Sequence, residues 1–229
     1  MLSAIDLAEN LDAALRAATV YTDPYPLSVY SPFSPVLYAE MLRHLPEDQY
    51  YGPLYHADAL RPDGTSTRLL LSLRDNDISR LPPIQRDFWS AFNHGMRSKL
   101  VCDVFMGHME ADIVKRFGKP VREVVCYPTA RLGRDWEGFK ILPHPDGTDR
   151  VYTAQVYLPS DDSQIDAGTT VYNRTPDGEF EYVRTLPFKP NTAFCFVRTD
   201  ETFHGVETLK LTTPRDSLHL SGFTGPKDF

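Results

Sequence analysis

The part of the chain after Pro120 is a succession of short runs of β-branched and aromatic residues, separated by proline, glycine, asparagine and aspartate. The runs are VREVVCYPTARL, RVYTAQVYLP, GTTVYN, EFEYVRTLPF, TAFCFV and DSLHLSGF. Short strands at regular spacing are typical of β-sandwiches and jelly-roll barrels. The second half of the chain therefore predicts a β core.

The first half carries apolar residues at helical spacing, with Ser3 and Ser34 placed as N-caps. This pattern predicts four helices, over residues 3–18, 34–45, 83–106 and 108–117. A chain of 229 residues fits one domain. We predict a single α+β domain over residues 1–229, in which a mostly helical part (1–118) packs against a mainly β core (119–229).

Composition excludes some classes of partner. The chain has 24 basic and 31 acidic residues with no basic cluster, which argues against a nucleic-acid partner. It contains no apolar run of about 18 residues, so no membrane span is expected. Cys102, Cys126 and Cys195 lie far apart without a CxxC pair, and the N-terminus lacks a basic leader pattern. These features favour a reducing, cytoplasmic location.

A histidine and an aspartate two residues apart precede one of the strongest predicted strands. In an extended strand, His144 and Asp146 point to the same side and can reach one ion. His204 lies 58 residues after Asp146 (204 − 146), followed by glycine. Two imidazoles and one carboxylate leave three positions open on an octahedral iron. Those positions suit a chelating keto acid and dioxygen.

Two other His-x-acid pairs compete with this one. His108 and Glu110 fall in a predicted helix, where residues i and i+2 point about 200° apart. His56 and Asp58 lie among loop signals with no strand leading out of them. The pair at His144 is distinguished by the strand that follows, by the distal His-Gly, and by the proline after His144, which favours an extended backbone.

Residues 124–224 resemble the 2-oxoglutarate and Fe(II)-dependent oxygenase superfamily. The resemblance rests on five features in order: the His-x-Asp motif and the strand ending Val156-Tyr157-Leu158, the Gly168-Thr169-Thr170-Val171 strand, the Pro190-Asn191-Thr192-Ala193-Phe194 strand, His204-Gly205-Val206, and a basic residue shortly afterwards. The resemblance implies a double-stranded β-helix (jelly roll) with the N-terminal helices packed against it. It also implies Fe(II), held by His144, Asp146 and His204, with 2-oxoglutarate and O2 as co-substrates.

The basic residue of the resemblance is Arg215, 11 residues after His204 (215 − 204). The family places an arginine here on the distal carboxylate of 2-oxoglutarate, and a planar guanidinium suits a carboxylate better than an ammonium does. Ser217 faces the same side of a strand and is expected to share that carboxylate. Tyr127, on the strand that leads to the metal motif, is a further candidate contact. A surface turn and an ordinary packed tyrosine are the alternatives.

Arg131, Arg134 and Trp136 precede the metal motif and are candidates for recognising an anionic or zwitterionic substrate, with a solvated loop as the alternative. Halogenating members of the family replace the ligand carboxylate by a small residue, whereas Asp146 is retained here. The resemblance therefore implies hydroxylation, desaturation or ring formation on a small-molecule or amino-acid-like substrate.

Two other classes of function use the same barrel. One is a metal-dependent hydrolase or isomerase on a cupin-like fold, in which the three ligands hold Zn(II) or Mn(II) with an activated water. The other is a non-catalytic β-helix domain that acts in binding. Arg215 argues against the hydrolase, which needs no dicarboxylate anchor, and the complete ligand set argues against the binding domain.

Overall fold

The computed structural model describes residues 3–227. Within this range, six α-helices precede most of the β-structure. They are α1 (Ala4–Arg16), α2 (Pro35–Arg43), α3 (Asp75–Ile78), α4 (Pro83–Met96), α5 (Lys99–His108) and α6 (Glu110–Phe117). None of the helices described has the length and apolar character that crossing a membrane requires.

Serine caps begin three of these helices. The hydroxyls of Ser3, Ser34 and Ser98 each accept a hydrogen bond from the backbone N–H three residues along, which satisfies a donor that the first helical turn leaves open. Gly118 ends α6 at a φ of 65°, a left-handed conformation that glycine adopts without steric cost. The single helix predicted over 83–106 is wrong, because the cap at Ser98 starts a separate helix.

Two antiparallel sheets make up the β-structure of the described range. The strands are β1 (Thr19–Tyr21), β2 (Leu27–Tyr30), β3 (Gly52–Pro53), β4 (Arg68–Ser72), β5 (Tyr127–Asp135), β6 (Ile141–His144), β7 (Arg150–Tyr157), β8 (Thr170–Arg174), β9 (Phe180–Thr185), β10 (Ala193–Val197), β11 (His204–Val206) and β12 (Arg215–Phe223). The larger sheet has the order β1-β2-β10-β7-β12-β5-β4-β3, and the smaller sheet has the order β6-β11-β8-β9.

The larger sheet separates two hydrophobic clusters. On its outer face, Leu218 and Leu220 of β12 belong to the same cluster as Phe92 of α4. On its inner face, Phe194 of β10 belongs to a cluster that includes Val171 of the smaller sheet. Because side chains alternate along a strand, the residues between the leucines of β12 point into the space between the two sheets.

The prediction of helices combined with an antiparallel β core is confirmed. Four short strands of the first half were not predicted, and they extend the larger sheet at both edges: β2 pairs with β10, and β4 pairs with β5. The extent of the domain, 1–229, stays a prediction, and residues 1, 2, 228 and 229 lie outside the described range.

Candidate functional site

Two neighbouring strands of the smaller sheet bring the predicted ligands together. His144 ends β6, His204 begins β11, and the two residues are cross-strand partners. Asp146 follows β6, and its Oδ2 atom lies 3.8 Å from Nε2 of His204. One ligand atom from each of the three residues lies within 4.8 Å of the others, and no other such group of histidine, cysteine or acidic residues occurs in residues 3–227.

Backbone carbonyls orient both imidazoles. Nδ1 of His144 lies 2.8 Å from the carbonyl oxygen of Leu142, and Nδ1 of His204 lies 3.1 Å from that of Thr202. A carbonyl oxygen only accepts, so Nδ1 carries the proton and Nε2 keeps its lone pair for an ion. Burial, followed by the proximity of His204, lowers the pKa of His144, which favours the neutral form that binds metal.

Three donors hold Asp146 in place. Arg150 Nη1 donates to its Oδ1 at 2.7 Å, and the hydroxyl of Thr153 donates to its Oδ2 at 2.5 Å. Arg198 Nε donates to its backbone carbonyl at 2.8 Å. Burial alone raises the pKa of this carboxyl, but His204, Arg150 and Thr153 outweigh it, so the pKa lies below the ordinary value. The group is therefore an ionised, fixed oxygen donor.

The two competing motifs lie outside this cluster. His56 has a side chain 54% exposed, and its Nδ1 accepts a hydrogen bond from the N–H of Asp58. His108 ends α5 and bonds the hydroxyl of Ser28 at 2.8 Å. Neither histidine belongs to the group of ligand atoms that one ion can bridge.

Arg215, the predicted anchor, belongs to a buried arginine–aspartate–arginine group. Its Nη1 donates to Oδ2 of Asp135 at 2.6 Å, and both residues are completely buried. Arg68 donates to both oxygens of the same carboxylate, at 2.5 Å and 2.8 Å. Arg215 also reaches the carbonyl of Ala167 and, through Nη2, the hydroxyl of Thr169 at 3.4 Å. Two positive charges thus share one negative charge.

Ser217 lies two residues after Arg215 in β12 and therefore points to the same side of the strand. Its hydroxyl is buried and lies 3.0 Å from Nε2 of His219. The cross-strand partner of Ser217 is Gly133, where a Cβ atom would lie 2.8 Å from that same Nε2. Glycine at this position leaves room for the histidine. A contact of Ser217 with 2-oxoglutarate stays a prediction.

Tyr127 lies at the start of β5, and Arg134 lies near its end and is held in ion pairs. Tyr127 is the first residue of β5, is 44% exposed and lies opposite Phe223. Arg134 packs on the outer face, where it donates to both oxygens of Asp216, at 2.7 Å and 3.1 Å, and to Asp48. These ion pairs account for Arg134 as a structural residue, and its role with substrate stays a prediction, as does the co-substrate role of Tyr127.

Arg131 lies on the inner face of the larger sheet, because its neighbours Ala130 and Leu132 point to the outer face. Arg131 lies two residues before Gly133 on β5, so both face the same side of the sheet, and it is the cross-strand partner of His219. Burial, followed by the charges of Arg150 and Arg68, lowers the pKa of Arg131 to about 10. Trp136 follows β5 directly and is partly buried. Their roles with substrate remain predictions.

Sequence reasoning missed the residues that support the ligands and the anchor. Arg150 lies only four residues after Asp146, so its proximity to this ligand could have been inferred from the sequence. Asp135 lies 80 residues before Arg215 in the chain, and Arg68 lies a further 67 residues before Asp135. No local pattern marks such a group, because only the pairing of β4, β5 and β12 brings it together.

No family model and no curated protein sequence matches the chain. Solved structures do match it. A prolyl-4-hydroxylase of Pseudomonas putida has a TM-score of 0.52 and 17% identity, covering 95% of this chain and 98% of that one. A Trichoplax adhaerens prolyl hydroxylase, solved with a peptide fragment of the hypoxia inducible factor oxygen degradation domain, has a TM-score of 0.53 and 14% identity, covering 96% and 90%.

A third similar structure is an oxidoreductase of the 2OG-Fe(II) oxygenase family from Burkholderia pseudomallei. Its TM-score is 0.50 and its identity 14%, with 97% of this chain and 91% of that chain covered. Identities this low show the fold alone. The chain has the fold of the 2-oxoglutarate and Fe(II)-dependent oxygenases, and the resemblance predicted from residues 124–224 is confirmed at that level.

Proposed function

We propose that this protein is an Fe(II)- and 2-oxoglutarate-dependent oxygenase. The observation that carries the proposal is the convergence of His144, Asp146 and His204 on one point between the two sheets. We further infer that the sheets form a double-stranded β-helix. In support, the chain from β5 to β12 passes from one sheet to the other at every connection except that between β8 and β9.

The donor set fits Fe(II). Nε2 of His144, Nε2 of His204 and a carboxylate oxygen of Asp146 are the two-nitrogen, one-oxygen set that leaves open positions on an octahedral ion. Bound Fe(II) would activate O2 while 2-oxoglutarate is oxidised to succinate and CO2. The carbonyls behind the imidazoles keep Nε2 directed at the ion, and Arg150 with Thr153 keeps the carboxylate from rotating away.

The charge of the arginine–aspartate–arginine group supports Arg215 as the anchor for the distal carboxylate of 2-oxoglutarate. One further carboxylate would balance it. The Nη2 atom of Arg215 lies against Thr169, two residues before Val171, which is the cross-strand partner of His204. Two residues of extended chain span about 7 Å, a length suited to a five-carbon dicarboxylate. Ser217 and Tyr127 are secondary candidates for the same co-substrate.

We propose hydroxylation, or a related oxidation, of a small-molecule or amino-acid-like substrate. The retained carboxylate of Asp146 supports this over halogenation. Two of the similar structures are prolyl hydroxylases, which agrees with an amino-acid-like substrate. Arg131, on the inner face of the larger sheet, and Trp136, directly after β5, are the substrate candidates that we carry forward. We also propose a reducing, cytoplasmic location, in keeping with the three free cysteines.

The test is reconstitution of the purified protein with Fe(II) and 2-oxoglutarate without oxygen. We expect a visible metal-to-ligand charge-transfer band, and succinate release when oxygen is admitted with amino acids and small metabolites. His204→Ala should lose both signals, while His56→Ala keeps them. Absence of both signals in the wild type, together with metal-dependent hydrolysis in Zn(II) or Mn(II), would overturn the proposal.

A further inference from the structure

The segment 146–151, which leads from the proposed ligand Asp146 into β7, is hydrogen-bonded at every backbone carbonyl. The carbonyl of Asp146 accepts from the Arg198 side chain, that of Gly147 from the N–H of Arg150, that of Thr148 from the Arg116 side chain, that of Asp149 from the N–H of Thr224, that of Arg150 from the Arg116 side chain, and that of Val151 from the Arg116 side chain and the N–H of Arg198. Side chains of two arginines thus bind four of the six carbonyls. The segment is held along its whole length.

Arg116, in the last turn of α6, binds three of these carbonyls. Its Nη1 donates to the carbonyl oxygens of Arg150 at 2.5 Å and Val151 at 3.1 Å, and its Nη2 donates to that of Thr148 at 2.8 Å. A guanidinium can do this because its donors are several and fixed in one plane. The side chain of one helical residue therefore fastens the 146–151 segment to the helical half of the chain.

The two arginines occupy these positions at an electrostatic cost. Burial, followed by the charge of Arg198, lowers the pKa of Arg116. Arg198 is only 7% exposed, and the carboxylate of Asp200 that pairs with it is 83% exposed. A partly buried cation beside another cation is unfavourable unless hydrogen bonds compensate for the lost water. The carbonyl oxygens of the 146–151 segment provide those hydrogen bonds, so the segment and the arginines stabilise each other.

The same segment contains both members of the ion pair that orients the proposed aspartate ligand. Asp146 begins the segment, and Arg150 within it donates to Oδ1 of Asp146 at 2.7 Å. Arg198 binds the backbone carbonyl of Asp146, and Arg116 binds that of Arg150, so the backbone is fixed on both sides of the pair. A metal ligand must be held to within about 0.5 Å by the groups behind it. Hydrogen bonds to the backbone of the segment can therefore determine where the carboxylate lies.

We propose that Arg116 is a positioning residue of the metal site, which holds the 146–151 segment in the conformation that binds Fe(II). Arg198 supports it at the first carbonyl of the segment. This inference rests on the proposed function, since it takes Asp146 as an iron ligand. It extends the site to a residue of α6 that is not itself a ligand and that contributes through the backbone of the segment.

The experiment measures the binding of Fe(II) alone, without oxygen, in competition with a chromogenic chelator. Arg116→Gln should weaken Fe(II) binding by about 10- to 100-fold, the usual effect of losing a group that orients a metal ligand. Arg116→Lys should recover part of this affinity, because one ammonium can replace some but not all of the three hydrogen bonds. Co(II), whose visible absorption reports the geometry of its ligands, should give an altered spectrum in Arg116→Gln.

Two control variants separate positioning from charge and from stability, and both should bind Fe(II) as the wild type does. Lys115→Gln removes a positive charge from an exposed residue of the same helix. Trp89→Phe removes another buried side-chain donor to a backbone carbonyl, that of His44, within the helical half.

The inference is overturned if Arg116→Gln binds Fe(II) as tightly as the wild type, or if it loses no more affinity than Trp89→Phe does. If Arg116→Gln does not fold, Arg116→Lys and Arg198→Gln are judged by the same two criteria. Absence of Fe(II) binding in the wild type instead overturns the proposed function.

Discussion

Arg215 and Asp135 form a completely buried ion pair, with Nη1 and Oδ2 2.6 Å apart, although 80 residues separate them in the chain. The second arginine on the same carboxylate, Arg68, leaves the group with one net positive charge. The pair fixes the guanidinium in a dry environment. The net charge of the group supports the proposed role of Arg215 as the anchor for a further carboxylate. Any variant of Arg215 alters both the buried ion pair and this charge, so the test of the anchor includes a variant that keeps the charge.

We expect Arg215→Ala to weaken 2-oxoglutarate binding by about 30- to several-thousand-fold, because loss of one partner of a buried charge pair costs about 2–5 kcal/mol. Arg215→Lys keeps a charge beside Asp135 but lacks the two-pronged donor, so it should recover only part of the affinity. The measurement is titration of the anaerobic Fe(II) protein, followed by the charge-transfer band. Unchanged affinity in a folded Arg215→Ala protein would remove the anchor.

The metal ligands are tested by matched histidine substitutions. His144→Ala and His204→Ala should each lose Fe(II) binding and turnover, because each removes one of three donors. His56→Ala, in the competing motif, should retain both. Folding should be nearly intact in all three, since one hydrophobic cluster joins the helices to the larger sheet and the other joins the two sheets, without need of an ion. Iron content and melting temperature are the measurements. Iron retained in both ligand variants but lost in His56→Ala would reverse the assignment.

Much of the fold could be predicted because its signals are local. Serine caps and helical spacing indicate α1 and α2, and alternating β-branched runs indicate the strands after residue 126. The missed strands β1 to β4 are two to five residues long and exist because a neighbouring strand provides their partners. The break at Ser98 was missed because the apolar spacing continues across it.

The candidate site likewise contains residues that could be predicted from local sequence and residues that could not. His144 and Asp146 are two residues apart, so their joint placement follows from strand geometry. The resemblance was needed to add His204 and Arg215. Asp135 could not be predicted, because its two arginines reach it only through pairing across β4, β5 and β12. Cys102 and Cys126, 24 residues apart (126 − 102), likewise join one hydrophobic cluster only in the fold.

Arg134 offers a test that separates a structural role from a role with substrate. Its side chain and that of Asp216 are 11% and 13% exposed, so Arg134→Gln leaves a largely buried carboxylate without its main partner. We expect a loss of about 3–5 kcal/mol in the free energy of unfolding, and recovery of much of it on adding Asp216→Asn. Urea denaturation measures this. Normal stability combined with a raised KM for substrate would restore the substrate role.

His219 should make the protein less stable in mild acid. Burial and four surrounding arginines hold the pKa of His219 well below the usual value in the folded state. In the unfolded chain the pKa of this histidine is about 6.5. Below that pH the unfolded chain takes up a proton that the folded protein refuses, so stability falls as the pH drops from about 6.5 toward the folded pKa. Above it, the group is neutral in both states and contributes no pH dependence.

One such proton changes the free energy of unfolding by up to about 1.4 kcal/mol per pH unit. Between about pH 6.5 and pH 5.5, the metal-free wild type should therefore lose about 1 kcal/mol more than His219→Asn, whose amide can still bond Ser217. His144 and His108, whose pKa values are also lowered by burial, add a slope that both proteins share. His94→Asn, at an exposed position on α4, is the control and should follow the wild type. The measurement is urea denaturation at several pH values with a chelator present. Parallel stability curves for the wild type and His219→Asn would show that the buried imidazole does not couple folding to pH.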